Sequence, residues 1–312
     1  MKWPPKKSES QQLFQPLFNE KEVEVFMLRD DLLHPGISGN KWRKLKYNLL
    51  GIANSSLRHS KATIPTIVTV GGSHSNHIAA VAEAGKVFGF ETIGLIRGYE
   101  SYRDNATLKK AAALGMDIGF FDKEAFNRIE TDYLPKLKQE LDFEFIPMGG
   151  GNILGMKGCV EINEDIEPRT THILTACGTG STFAGIVAGA RSNQQVIGFP
   201  AMKNGAFMTT DVNQYLNDFG TEIKHNFRIN TDYHFGGFAK LKPELVDFIN
   251  QFKRDHGIAL DGIYNGKMMF GLFDLLKKDY FPKGSIITSI HTGGVQGNLG
   301  LMNKKGVVLP LS

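Results

Sequence analysis

The sequence predicts an α/β protein with a mostly parallel sheet, because β-branched runs alternate with helix-patterned segments along most of its 312 residues. Three turns rich in Gly, Ser and Thr point the same way, each following a predicted strand: "GGSHSNH" (71–77), "CGTGST" (177–182) and "HTGGVQG" (291–297). In open parallel sheets ligands bind outside the carboxyl ends of the strands, so these turns are the first candidates for chemistry. The length suits one large α/β domain or two smaller ones, with ample core.

Taken in order, "TIVTV" (66–70) reads as a strand, followed by a Gly turn and an Ala-rich helix near 77–88. "TIGLI" (92–96) precedes a helix from the N-cap residue Asn105 to the C′ residue Gly115. "DIGFF" (117–121), one long charged helix to about Leu141 and "FEFIP" (143–147) complete a compact α/β unit. After "MGGGN" (148–152) the rhythm restarts with strand "HILTAC" (172–177), a helix over 180–191 and strand "QVIGF" (195–199). Helices follow near 211–218, 243–255 and 266–278, and a last strand, "SIITSI" (285–290), runs into "HTGGVQG". These rhythms place a boundary near 150, with the first ~45 residues packing on the second unit. The uncharged stretch 173–190 is too rich in Gly, Ser and Thr for a membrane span and reads as buried strand, turn and small-residue helix.

Composition narrows the function. Hydrophobic content of 41% and charged content of 22% are those of a soluble globular protein. A net charge of +4, with acids interleaved among bases, argues against nucleic acid. The two cysteines, Cys159 and Cys177, form no CxxC or metal spacing and suit a reducing, cytoplasmic compartment. "MKWPPKKSES" lacks the apolar core of a signal peptide.

"GTGST" lies between a strand and a helix starting near Ser181, where backbone N–H groups and the helix dipole make a phosphate site. It is neither a P-loop nor a dinucleotide fingerprint, since no GK[ST] follows and Phe183 stands where a third glycine would. The plain alternative is a strand-to-helix turn closed by small residues. His74 and His77 could be read as a metal half-site, but no carboxylate or cysteine lies close in sequence, and no metal is expected. Turn-forming polar residues and a ligand loop aiming Ser75 and Asn76 at an anion or hydroxyl remain the other readings.

The segment "SGNKWRKLKY" (38–47) carries four cations. Gly39 and Asn40 read as turn and N-cap, with helix from Lys41. Trp42, Leu45 and Leu49 line an apolar face, with Lys41 and Lys44 beside it and Arg43 and Lys46 on another side. Two lysines near a helix start are disfavoured by the dipole, which suggests an anion to satisfy, against the alternative of a solvated basic face. A lysine at a helix start, a phosphate-type turn and a polar loop are together what a phosphorylated aldehyde cofactor uses.

On these residues the chain resembles the pyridoxal-phosphate (PLP) enzymes of fold type II, and within them the D-cysteine desulfhydrase / 1-aminocyclopropane-1-carboxylate (ACC) deaminase group. The matching pieces are "LRDDLLHPGISGNKWRKLKY", "TVGGSHSNHIAAVAEAGKVFG", "CGTGSTFAGIVAG", "YNGKMMFGL" and "HTGGVQGNLGL", in family order over roughly 28–301. The resemblance implies a tryptophan synthase β-like fold of two open, twisted, mostly parallel sheets flanked by helices. It further implies a large PLP-binding domain of residues 1–45 plus 156–312 and a small mobile domain of residues 46–155. Lys41 would form the Schiff base and later carry the Cα proton. Lys44, Gly178, Thr179, Gly180, Ser181 and Thr182 would anchor the phosphate, with Asn76 and Thr292 as further cofactor contacts. Ser75, Asn76, His77 and Tyr264 would meet the substrate, Ser75 and Tyr264 as catalytic groups. A small amino-acid substrate, no nucleic acid or membrane, and a homodimer complete the family's expectations.

Three departures bear on the substrate. In the resemblance, ACC deaminases carry glutamate after the active-site tyrosine, where this chain has Asn265. They carry leucine in the last loop, where this chain has Thr292, as desulfhydrases do. They place a second tyrosine near "DYHFGGFAK" (232–240), where Phe235 or Phe238 stands. The threonine and the phenylalanines favour D-cysteine desulfhydrase-like α,β-elimination to pyruvate, ammonia and sulfide, while Asn265 matches neither group and leaves another small D-amino acid open. ACC deamination to 2-oxobutanoate, racemisation, β-replacement and a non-catalytic PLP-binding regulator are the alternatives.

Overall fold

A computed structural model of the chain describes residues 2–56, 64–222 and 226–311. The elements run β1 (Ser10–Leu13), α1 (Pro16–Glu20), β2 (Glu24–Leu28), α2 (Asn40–Ser56), β3 (Thr66–Gly72), α3 (Asn76–Phe88), β4 (Glu91–Arg97), α4 (Ala106–Ala113), β5 (Met116–Phe121), α5 (Lys123–Asn127), α6 (Leu134–Glu140) and β6 (Glu144–Ile146). Then come α7 (Ile153–Val160), β7 (His172–Cys177), α8 (Ser181–Gly189), β8 (Gln195–Pro200), α9 (Met208–Phe219), β9 (Phe227–Ile229), α10 (Pro243–His256), α11 (Asn265–Lys277), β10 (Ile286–Ile290) and α12 (Gly297–Lys305).

The strands form two sheets. One has six strands in the order β1-β2-β10-β7-β8-β9, and the other four in the order β5-β4-β3-β6. Every pairing is parallel except β1 with β2. Parallel strands must be covered on both faces, and period-2 alternation divides their side chains accordingly. In β7, Leu174 and Ala176 enter the core that α10 and α11 cover, while Ile173 and Cys177 enter the core beneath α7, α8 and α9. In β3, Ile67 faces the core shared with α2, α3 and α4, and Val68 and Val70 face the opposite one. Fully burying one such aliphatic side chain stabilises by about 1.5–3 kcal/mol, so both sheets are held mainly by these layers.

Local signals explain most boundaries. Asn105 Oδ1 accepts from the backbone N–H of Thr107 and Leu108 at the start of α4, and Gly115 follows its end at φ 96°. The single charged helix expected up to Leu141 is instead α5, a π-turn over Ile129–Tyr133 and α6. Pro135, in the first turn of α6, has no N–H to continue the ladder. The short strands β1, β2 and β9 and the helices α7 and α12 have no counterpart in the sequence expectations. The uncharged stretch 173–190 forms β7, a turn and α8. No helix among the described residues is long and apolar enough to cross a membrane.

Helix α2 begins at Asn40 itself, not after it. Gly39 is in left-handed backbone at φ 65°, and a Cβ there would overlap the carbonyl of Thr292. Only glycine lets the start of α2 come so close to the loop after β10. Farther along, a Cβ on Gly158 would overlap the carbonyl of Arg43, so α7 also packs backbone-close against α2.

Candidate active site

The loops after β3, β7, β8 and β10 lie at the carboxyl ends of their strands, and the start of α2 comes in among them. Asn40 ties α2 into place: its backbone N–H donates to the carbonyl of Thr292 at 3.2 Å, and its Nδ2 donates to Thr182 Oγ1 at 2.9 Å. Its Oδ1 accepts from Lys41 Nζ at 2.7 Å. The asparagine read from sequence as a cap is therefore a brace, orienting the lysine amine and binding the GTGST turn.

Lys41 and Lys44 are buried ammonium groups with no carboxylate within ion-pair distance among the described residues. Lys44 Nζ donates to the carbonyl of Gly149 at 2.9 Å and to Thr179 Oγ1 at 3.2 Å. Burial, reinforced by the charge of Lys44, lowers Lys41 from its ordinary 10.5 to about 7. Burial lowers Lys44 to about 8. At neutral pH a large share of Lys41 is thus the free amine, the form needed by a nucleophile or base.

The turn after β7 supplies the complement. Gly178 and Thr179 lead to Gly180 at φ 80°, and α8 starts at Ser181 with no side-chain cap, leaving its first-turn N–H groups for an anion. Thr182 is already bound by Asn40, and Thr179 by Lys44. From α9, Tyr215 lies against the turn, its Cε2 3.9 Å from where a Gly180 Cβ would sit. Sequence reading missed Tyr215, which carries no local signal.

The loop after β3 behaves differently at each residue. Ser75 Oγ accepts from the backbone N–H of His77 and Ile78, at 3.2 and 3.4 Å, capping α3, which leaves its own O–H to donate. Asn76 points toward Gly294, its Oδ1 buried with no partner. His77 does not stand out at an open surface: it is 1% exposed. Thr69 Oγ1 donates to the carbonyl of Ile146, so it accepts from Nε2–H of His77 at 2.9 Å. The Nδ1 of His77 is then a bare, unpartnered acceptor. Burial and the charges of Lys41 and Lys44 hold its pKa well below 6.5, so the ring stays neutral. His74 leaves its neighbour and packs against Gly300 of α12. Among the described residues no group of three or more His, Cys, Asp or Glu could hold a metal.

Tyr264 closes the far side. Its ring lies over Gly178, with Cε1 3.2 Å and the hydroxyl 3.3 Å from where a Gly178 Cβ would sit. Burial and the nearby Asp261 carboxylate raise its pKa, so it remains a phenol with a proton to donate. Asp261 aims it: Oδ1 accepts from the N–H of Ile263 and Tyr264, and Oδ2 from the N–H and Nδ2 of Asn265. Asn265, fully buried, uses both ends of its amide. Nδ2 donates to Asp261 and to the carbonyl of Gly293, and Oδ1 accepts from the N–H and hydroxyl of Thr292. A glutamate here would repel Asp261 and could not donate to Gly293. Of the two phenylalanines in the 232–240 segment, Phe235 packs edge-on against Phe270 at 4.9 Å, while Phe238 lies against Tyr264 with ring centroids 6.0 Å apart.

These groups fit a phosphorylated aldehyde. Lys44 and an uncapped helix start could receive the phosphate, the Lys41 amine is near neutrality for the aldehyde, and the orphaned acceptors Asn76 Oδ1 and His77 Nδ1 await donors. Known proteins agree. A family model described as pyridoxal-phosphate dependent enzyme matches residues 12–293. A Pyrococcus furiosus protein, provisionally named a 1-aminocyclopropane-1-carboxylate deaminase, is 33% identical over 295 residues, covering 88% of this chain and 86% of that protein. The bifunctional D-cysteine desulfhydrase/1-aminocyclopropane-1-carboxylate deaminase of Arabidopsis thaliana is 30% identical over 314 residues, covering 90% of this chain and 74% of that protein. The crystal structure of an ACC deaminase homologue superposes with a TM-score of 0.83 at 29% identity, covering 97% of this chain and 95% of that one.

Proposed function

The chain belongs to the pyridoxal-phosphate dependent enzyme family, and from that premise we propose that it is a lyase acting on a small amino acid, D-cysteine above all. The overall reaction would be D-cysteine plus water to pyruvate, ammonia and hydrogen sulfide. When bound, PLP supplies an aldehyde for the amine of Lys41 and a ring that stabilises negative charge at Cα. Lys41 Nζ, its pKa lowered by burial to about 7, would take the Cα proton as the β-sulfur leaves. Lys44, Thr179 and the start of α8 hold the phosphate. Asn76 and Thr292 hold the ring, Thr292 being oriented by Asn265. Ser75 donates to the substrate carboxylate, and Tyr264, remaining protonated, donates to the leaving sulfur.

The choice of elimination over ring opening rests on Phe238. The aromatic ring packed against Tyr264 has no hydroxyl, so only one phenol serves the β-carbon there. Tyr233 is engaged elsewhere, donating to Asp274 at 2.8 Å. Assay of the purified protein for pyruvate and sulfide from D-cysteine and L-cysteine, and for 2-oxobutanoate from ACC, tests this. D-cysteine should be the preferred substrate; faster release of 2-oxobutanoate from ACC would overturn it. Residues 46–155 would act as a small mobile domain over the cofactor, and a cytoplasmic homodimer is the assembly the family leads us to expect. The buried, unpaired thiols Cys159 and Cys177 are consistent with a reducing compartment.

A further inference from the structure

One buried charge has no place in the chemistry above. Lys267, three residues beyond Tyr264 on α11, is 1% exposed. Its Nζ donates to three backbone carbonyls: Gly237 at 2.8 Å, His234 at 2.9 Å and Ala201 at 3.2 Å. All three protons are satisfied, with no carboxylate in hydrogen-bond or ion-pair contact among the described residues. Burying an ammonium is costly unless every donor is met, and a methionine would fill the same space without desolvation. A charge kept in such a place points to the acceptors it gathers.

Those acceptors belong to two separate crossings, the end of β8 and the turn over 234–237. The turn runs through left-handed backbone at Phe235 (φ 53°), Gly236 (φ 92°) and Gly237 (φ 122°), and again at Ala239 (φ 53°). Phenylalanine and alanine adopt that conformation only when their surroundings enforce it. Two contacts with α11 do so here: Lys267 gathers the carbonyls, and Phe270 receives the ring of Phe235. The result is Phe238, turned outward, 55% exposed, and set against Tyr264.

We propose that Lys267 is a positioning residue that clamps the 234–238 turn as a fixed wall of the substrate pocket, so that Phe238 limits the side chain admitted beside Tyr264. This rests on Tyr264 facing the substrate, but not on which bond is cleaved. The test is therefore a binding measurement on the PLP-loaded enzyme, read from the shift in cofactor absorbance during titration with D-alanine, D-cysteine, D-methionine and D-phenylalanine. The wild type should favour the two smaller ligands. Lys267→Met and Phe238→Ala should each narrow the preference for D-cysteine over D-phenylalanine by about tenfold, with the cofactor spectrum before titration unchanged. Lys267→Arg should not restore it, because a planar fork cannot meet three convergent carbonyls. Phe238→Ala, at an exposed position, tests the wall even if Lys267→Met fails to fold. An unchanged preference in Phe238→Ala, or a lowered Tm with unchanged preference in Lys267→Met, would overturn the assignment.

Discussion

Helix α2 carries cations on two faces that are wired in opposite ways. Toward the outer loops, Arg43 Nη2 meets Asp165 Oδ2 at 2.6 Å, Asp30 Oδ1 at 3.0 Å and Ser8 Oγ at 3.1 Å, and Lys46 meets Glu161 at 2.7 Å. Toward the crevice, Lys41 and Lys44 have only neutral acceptors. Paired cations hold a helix in place, whereas buried cations without a carboxylate can receive an anion and become stronger acids than a free lysine. One helix thus separates stability from chemistry by face, at a spacing of one or two residues.

Substitutions can break that separation or sharpen it. Lys41→Ala should abolish turnover, by about a thousandfold or more, and remove the Lys41-bound absorbance of the cofactor without lowering the apoprotein Tm. Arg43→Met should do the reverse. It strands the fully buried Asp30 and the partly buried Asp165 at a cost of about 3–5 kcal/mol, seen as a Tm lower by roughly 10 °C or more, with the cofactor still bound by the molecules that fold. If Arg43→Met instead removed activity at unchanged Tm, the two faces would not be separate. Lys44→Met should weaken PLP affinity about ten- to a hundredfold, measured by equilibrium titration.

The pH dependence of the apoprotein tests the same contrast more gently. In the unfolded chain both lysines return to 10.5, so above pH 7 the unfolded state binds protons that the folded state does not. Stability contributed by these groups therefore rises with pH, and the apoprotein Tm should climb by roughly 2–6 °C between pH 7 and 9. Above 9 the buried Cys177 thiol, pushed up to about 12, works in the opposite direction. A Lys41→Met/Lys44→Met double variant should reduce the climb, leaving the part that Lys267, lowered by burial to about 8, contributes. The smallest effect belongs to Lys46→Ala, whose half-exposed pair with Glu161 is worth under about 1 kcal/mol.

What could be read from the sequence was local. The strand-to-turn sites of Gly178–Thr182 and Ser75–His77 announce themselves in a few adjacent residues, as does the lysine pair at a helix start. What could not be read depends on partners far along the chain. Asn40 looks like a cap until Thr182 and Thr292 are beside it, and Lys267 looks like surface until Ala201, His234 and Gly237 close over it. Asn265 resists assignment from sequence because its meaning is its bonds, to Asp261 and to the distant Thr292 and Gly293. Only Asp261 left a readable trace, as an acid followed by glycine three residues before Tyr264. β1 and β2 escaped notice because "SQQL" and "EVFML" are short and lack the turn signals that flank the inner strands.

Strand β10 fills the slot between β2 and β7, near the centre of the larger sheet. Ribosomes make β2 and Lys41 early and β10 late, so for most of synthesis the sheet is in two pieces and the brace between Asn40 and Thr292 cannot form. Until β10 docks, the loop that carries Thr292 cannot meet Asn40, and the asparagine that orients the Lys41 amine lacks its backbone anchor. Assembly of the crevice therefore waits on one of the last segments of the chain to be made.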